Sequence, residues 1–425
     1  MRRAALTPLA VSVTCLILVG ACGRAPANRG EPPPWDPAFV LGPYRYDADF
    51  VDASHGWMLV SACTHPSTPT PDPRATGTRM TSPVGECVRA VVSTIDGGKT
   101  WANPVAVGPT YTVIGRDVPY SLQFLNGSDG FVFGDSIALV THDGGFHWVD
   151  SGLKTGGYFS IAGKGSTAWA VNLACDITGN DACSRPVPFD VRKSVDGKRT
   201  WSSPRRLQPA TGVGWPKTVA FGNEGLLVYG DSALELTTDG GRTWRFGSVS
   251  CPTQLTAAQP TTTLDGREIW VACTQYVPAT DLKSGPSVNF SAVLVSEDGG
   301  ESWTVRSVPP FFADKSPRGG FFAASIVATG KSSALVAVAG GYMYLTPDAG
   351  VTWRRVGPTS TELGAGGFDW VRYDASFGGW GFSFCTMSRA GCLWMTRDQG
   401  ETWSLMPAPA LGQAPPSLPP TAMSA

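Results

Sequence analysis

Ser93-Thr94-Ile95-Asp96-Gly97-Gly98-Lys99-Thr100-Trp101 decides the fold of this 425-residue chain, because six more copies follow it. They are Thr141-His142-Asp143-Gly144-Gly145-Phe146-His147-Trp148, Ser194-Val195-Asp196-Gly197-Lys198-Arg199-Thr200-Trp201 and Thr238-Asp239-Gly240-Gly241-Arg242-Thr243-Trp244. Next come Ser296-Glu297-Asp298-Gly299-Gly300-Glu301-Ser302-Trp303, Thr346-Pro347-Asp348-Ala349-Gly350-Val351-Thr352-Trp353 and Thr396-Arg397-Asp398-Gln399-Gly400-Glu401-Thr402-Trp403. The shared phrase is a hydroxyl residue, an Asp one or two places on, small residues, then Trp. Successive Asp residues are 47, 53, 43, 59, 50 and 50 positions apart. A period of that size, one four-stranded unit long, predicts a radial array of blades. The expected fold class is all-β, a seven-bladed β-propeller of four-stranded antiparallel blades with the phrase at each C–D turn.

The phrase reads as structure rather than chemistry. An Asp carboxylate accepts from backbone N–H groups just downstream, and Gly tolerates the positive φ that such a turn requires. The flanking hydroxyls close further local bonds. Trp then opens the outer strand and, when buried, removes about 150–250 Å² from water. Seven acids of equal standing round a ring cannot share one active site. Asp96, Asp143, Asp196, Asp239, Asp298, Asp348 and Asp398 are therefore expected to lock turns.

A second phrase supports the blade count. Strand B opens on a small or aliphatic residue and an aromatic at Gly56-Trp57, Gly130-Phe131, Ala168-Trp169, Ile269-Trp270 and Gly379-Trp380. Alternation and turn signals place strand A of blade one at 50–53, strand B at 57–62, strand C at 88–94 and strand D from Trp101. Strand A of blade six is expected at 324–328, and the last outer strand at 403–406. Seven blades then fill residues 44–408, with 39–41 free to add an edge strand. Nothing marks a strand swapped between the termini, and the manner of ring closure is not legible.

Composition fits an exported protein. Met1-Arg2-Arg3 and the apolar run after it read as a signal peptide over 1–21. Leu18-Val19-Gly20-Ala21-Cys22 is similar to a bacterial lipobox, which makes Cys22 the lipidated first residue of the mature chain. A Pro-rich tether follows to residue 43, and a Pro-rich tail expected to be disordered occupies 409–425. The chain is thus expected outside the cytoplasm, anchored to a bacterial membrane. The 33 basic and 34 acidic residues nearly cancel, and losing Arg2 and Arg3 leaves 31 against 34. Such a balance offers no basic field for nucleic acid.

Of the ten cysteines, Cys15 and Cys22 are accounted for above, leaving eight for an oxidising compartment. The blade frame narrows 105 possible pairings to Cys63–Cys87, Cys175–Cys183, Cys251–Cys273 and Cys385–Cys392. The first pair faces across the long B–C loop of blade one, and the last across a short one in blade seven. The second sits within the B–C loop of blade three, and the third joins strand D of blade four to strand B of blade five. There is no CxxC pair and only four His, so no metal and no cofactor are expected.

The repeated phrase resembles the Asp box of the sialidase-like, BNR-repeat propellers. The closest likeness in style is to the single seven-bladed propellers of the photosystem II assembly and stability factor family, and to sortilin-type repeats. That resemblance implies a ligand face opposite the Asp boxes, formed by the B–C and D–A loops. The long B–C loops are expected at 65–85, 176–188 and 277–287, and long loops in a compact array are functional or disordered. In the D–A connections, aromatics stand beside charges: Tyr111, Arg116 and Tyr120; Arg206 and Trp215; Phe311, Phe312 and Arg318. These are the candidate binding residues for a protein or cell-wall glycan, with the chain acting as a monomer. The alternative is a glycoside hydrolase of the exo-sialidase type. It would need an Arg-Ile-Pro motif and an arginine triad. The chain has no Arg-Ile-Pro, Arg45 lies in the wrong context, and Arg372-Tyr373 is the nearest imitation of one arm of such a site. Arg372 and Tyr373 are the only catalytic candidates, and the spacing around them is that of an inner strand.

Overall fold

The computed structural model describes most of residues 39–409. Outside the described set lie 1–38, 410–425, the connections 65–85, 113–119, 154–158, 174–188, 208–216, 278–286, 308–324 and 359–367, and several shorter pieces. The described strands form seven antiparallel sheets, and no helix is found among the described residues. Blade one is β1 (Phe39–Phe50), β2 (Gly56–Thr64), β3 (Glu86–Thr94) and β4 (Val105–Thr112). Blade two is β5 (Ser121–Phe124), β6 (Gly130–Phe133), β7 (Ala138–Thr141) and β8 (Val149–Asp150). Blade three is β9 (Phe159–Lys164), β10 (Thr167–Leu173), β11 (Phe189–Ser194) and β12 (Arg205–Arg206). Blade four is β13 (Lys217–Phe221), β14 (Gly225–Gly230), β15 (Ala233–Thr237) and β16 (Arg245–Ser248).

Blade five departs from the pattern. Its inner strand is split into β17 (Thr256–Ala257) and β18 (Thr261–Thr262), and both pair with β19 (Ile269–Val277). Strands β20 (Ser287–Ser296) and β21 (Thr304–Arg306) complete it. Blade six is β22 (Ser325–Gly330), β23 (Ser333–Val338), β24 (Tyr342–Thr346) and β25 (Arg354–Val356). Blade seven is β26 (Phe368–Asp374), β27 (Gly378–Cys385), β28 (Ser388–Thr396) and β29 (Ser404–Leu405).

Each blade packs on both faces, so its middle strands lose the two-residue alternation of a half-exposed sheet. All four residues of β6 and all five of β15 are buried, while both residues of β8 and both of β29 are exposed. Seven apolar cores result, one between each pair of neighbours. The core that closes the ring sets Ala48, Phe50, Met58 and Val60 of blade one against Trp380, Leu393 and Met395 of blade seven. Hydrogen bonds stitch the same seam: Trp380 Nε1 donates to Ala48 O at 2.9 Å, and Trp101 Nε1 to Pro407 O at 3.0 Å. Among the described strands none is exchanged there, since each blade's described strands come from one contiguous segment.

Several strand limits differ from expectation. The inner strand of blade one is β1, ending at Phe50 rather than running from 50 to 53, and 39–41 are its first residues rather than a separate edge strand. The alternation is masked because Asp47 and Asp49 stand where apolar residues would be expected. The outer strand of blade one begins at Val105, three residues beyond Ala102, whose N–H is held by Ser93 O. The last outer strand is shorter than 403–406, and strand A of blade six begins and ends later than 324–328.

The box geometry repeats round the ring. A hydroxyl two residues before the Asp donates to its Oδ1 at 2.8–2.9 Å, from Thr94, Thr141, Ser194, Thr237, Ser296, Thr346 and Thr396. In blade four the residue used is Thr237, one earlier than the phrase quoted above. The same hydroxyl accepts from the backbone N–H four residues on, as in Gly145 N to Thr141 Oγ1 at 2.9 Å. That position is Gly in six boxes, with φ between 82° and 95°, a region that favours Gly; in blade three the sequence places Lys198 there. The residue before Trp bonds Oδ2 at 2.5–2.6 Å through a Thr or Ser hydroxyl, or through His147 Nδ1 in blade two. The box Trp residues are half-buried, so the full area expected of them is not removed from water. The deeply buried indoles are those of Trp57, Trp169, Trp270 and Trp380 on the second strands of their blades and of Trp394 on β28.

Candidate functional site

The seven inner strands surround a channel with a cavity of about 440 Å³, to which every blade contributes. Because each inner strand runs from a D–A connection to an A–B turn, its first residues mark one end of the channel and its last residues the other. The A–B end is also the Asp-box end: Gly97 N donates to Ser54 O, Gly144 N to Ser128 O, Gly299 N to Arg267 O and Ala349 N to Ser332 O. A second cavity, about 640 Å³, opens at this end between the A–B turns of blades three to seven.

Among the described residues, five charged side chains line the channel cavity: Asp49, Lys164, Lys217, Arg372 and Asp374. Arg372 on β26 reaches across the closing seam. Its Nη2 donates to Asp47 Oδ2 at 2.6 Å, and its Nη1 to Leu122 O at 3.1 Å while lying 3.6 Å from Asp49 Oδ1. Asp47 and Asp49, two residues apart on β1, therefore point the same way. Each carboxylate also accepts from blade two: Asp47 from Leu122 N at 2.9 Å, and Asp49 from Phe124 N at 2.6 Å and Gln123 Nε2 at 2.9 Å. One guanidinium and two carboxylates thus join blades seven, one and two. Burial raises the pKa of both acids despite Arg372, and Asp49, with the more distant guanidinium, is pushed up to about 7.

Lys164 at the end of β9 donates to Asp374 Oδ2 at 2.8 Å, a bridge from blade three to blade seven across the channel. Burial works against the Asp374 charge, but hydrogen bonds from Lys164 and Ser376 hold its pKa below the usual carboxylate range. Lys164, Tyr373 and Asp374 border both cavities, so this bridge marks the boundary between them. Tyr373 is half-buried; burial first, and then the charges of Asp374 and Asp398, raise its pKa.

The sequence candidates are scattered by comparison. Arg372 and Tyr373 do line the channel, but Arg372 is occupied by the two acids of β1. Tyr120 is buried in the core between blades one and two, with the Arg89 guanidinium 3.7 Å from its ring centroid. Arg206 lies on the outer strand β12 and pairs with Asp190 at 3.0 Å. These two side chains serve packing and sheet pairing. Tyr111 belongs to β4, but its side chain, together with Arg116, Trp215, Phe311, Phe312 and Arg318, lies outside the described residues. A disulfide joins Cys251 to Cys273, which sits within β19 rather than at its end. Cys392 is disulfide-bonded, and the pairing of β2 with β3 sets Cys63 opposite Cys87. The side chains of Cys63, Cys87 and Cys385, with Cys175, Cys183 and Cys22, lie outside the described residues. Asp47, Asp49, Lys164 and Lys217 were missed from sequence. The acids at 47 and 49, two apart in a run that is otherwise strand-like, were the available signal. No group of three His, Cys, Asp or Glu able to hold a metal ion occurs among the described residues.

No family model and no curated protein matches the sequence. Solved structures do match. YCF48 bound to a D1 peptide is 16% identical with a TM-score of 0.50, over 87% of this chain and 99% of that one. YCF48 from Cyanidioschyzon merolae is 17% identical with a TM-score of 0.48, over 84% and 98%. An ancestral GH74 enzyme is 12% identical with a TM-score of 0.53, over 88% of this chain and 47% of that one. At these identities the likeness is one of fold: the chain is a seven-bladed β-propeller, the architecture expected from its resemblance to the photosystem II assembly factors.

Proposed function

We propose that this protein is an extracytoplasmic binding or assembly module, held to a bacterial membrane by lipid on Cys22. In this reading it takes a protein or cell-envelope glycan on its B–C/D–A loop face. The observation that carries the reading is the state of the channel charges. Four of the five lining groups, Asp49, Arg372, Lys164 and Asp374, are committed to ion pairs between blades. The fifth, Lys217, has no neighbouring base among the described residues to make it part of a nucleophilic or acid–base constellation. A propeller of similar fold has been solved with a peptide bound, which favours a protein segment over a glycan. Long loops on one face of a rigid ring suit that role.

The test presents the detergent-solubilised full chain to an array of extended peptides and envelope glycans, with a fluorogenic sialoside and a xyloglucan assayed in parallel. Saturable binding without turnover is expected. Turnover that disappears in Tyr373→Phe would replace the binding module with a glycosidase. For the anchor, palmitate labelling of cells should be abolished by Cys22→Ser, and labelling that survives refutes lipidation at that residue.

A further inference from the structure

Lys217 opens β13 and lines the channel cavity. It is the one charged group lining that cavity with no ion pair or hydrogen bond to its ammonium among the described residues. Among the described residues no carboxylate offsets its desolvation, and burial lowers its pKa. A lysine kept partly out of water without a counter-charge is costly to the fold. Its position is also unusual. Val219 and Phe221, on the same side of β13, pack into the core between blades four and five, so Lys217 is directed toward blade five. There the inner strand is broken between β17 and β18, and the cavity extends to Pro260. Lys217 lies at the D–A end of its strand, whereas the Lys164–Asp374 bridge lies at the A–B end.

We propose that the channel holds a carboxylate-bearing ligand, entering from the D–A end, whose carboxylate sits on the Lys217 ammonium. This rests on the binding-module reading and names the chemistry of its ligand. A cavity of about 440 Å³ falls within the size range of small-molecule sites. One ammonium offers three donors and a single compact charge. The other two cations of the cavity already face carboxylates, so the Lys217 ammonium suits one negative charge rather than two.

The test follows Lys217 in the reductively ¹³C-methylated full chain by NMR, with Lys217→Met to assign its signal. N-acetylglycinate is titrated against its uncharged twin, N-acetylglycinamide, and against sulfate. A saturable shift of the Lys217 signal by the carboxylate, about ten-fold or more stronger than by the amide, is the expected result. Equal response to acid and amide, or no saturable shift, overturns the proposal, and tighter binding of sulfate overturns the assignment to a carboxylate. Lys217→Met should melt no lower than the parent, since it removes a desolvated charge. Calorimetry should show at least about ten-fold weaker N-acetylglycinate binding to this variant. Should array ligands bind the variant and the parent alike, the inference fails and the module stands. Should N-acetylglycinate bind at Lys217 while the arrays stay blank, the site stands and the module reading fails.

Discussion

In every box the hydroxyl two residues before the Asp is buried, from Thr141 and Thr346 at 0% exposure to Thr94 at 3%, whereas the Asp itself is half-buried or exposed. The two groups therefore differ in what their loss costs. Removing a surface carboxylate lets water replace it. Removing the hydroxyl strands the buried N–H of a Gly, as in the Gly145 N to Thr141 bond. Thr141→Val is accordingly expected to cost about 1–3 kcal/mol, read as a shift of the urea midpoint with the slope unchanged. A loss below about 0.5 kcal/mol would show that the box tolerates an orphaned N–H. The conspicuous Asp marked the turn in the sequence and the flanking hydroxyls were expected to close local bonds, but which hydroxyl does so, and its burial, were not legible. Blade four shows why: Thr237 and Thr238 are adjacent, and only the pairing of β15 with β14 determines which one turns inward.

At the scale of strands, β1 was the element least visible in the sequence and is among the most consequential. Its inward positions carry Asp47 and Asp49, and a reading by hydrophobic alternation begins the strand only after them, at residue 50. Their meaning depends on Arg372, more than 320 residues away, a pairing that no local pattern reveals. That same distance makes Arg372, read from sequence as a catalytic candidate, a tie across the closing seam. Arg372→Met should leave two buried carboxylates without their cation and cost about 3–5 kcal/mol. Hydrogen exchange should then quicken first in β1 and β26; uniform acceleration over all blades would count against a local seam. The Cys251–Cys273 disulfide spans 22 residues and ties blade four to blade five beside the broken inner strand. Replacing both by Ala should cost about 3 kcal/mol by loop entropy, measured by denaturant melts with and without reductant.

For the molecule as a whole, the blade number, the box turns and the separation of two faces were legible, because each rests on a local phrase repeated seven times. The channel was not, since its charges meet only after the ring has closed. Those charges and the boxes give stability two opposing pH dependences. Hydrogen bonds from Thr243 and Ser302 hold Asp239 and Asp298 at about 2, and the other box acids are also depressed. Their contribution is present above the unfolded value near 4 and is lost as pH falls toward about 2. Asp49, raised to about 7, makes the folded protein bind a proton that the unfolded chain releases, so stability declines as pH rises from about 4 to 7. Urea titrations should therefore find greatest stability near pH 4–5, roughly between the two windows. Asp49→Asn should flatten the decline above about pH 5 and spare the acid limb; a parent profile already flat from 5 to 7 would contradict the raised Asp49. The Lys164–Asp374 bridge has a further consequence, one of traffic. A ring with a chord drawn across one end is a cup rather than a tube. A polymer captured by such a cup is held by its tip or by a bent loop, and it leaves by the way it came. In the binding reading proposed above, the channel would then suit chain ends and exposed turns better than the middle of a threaded strand.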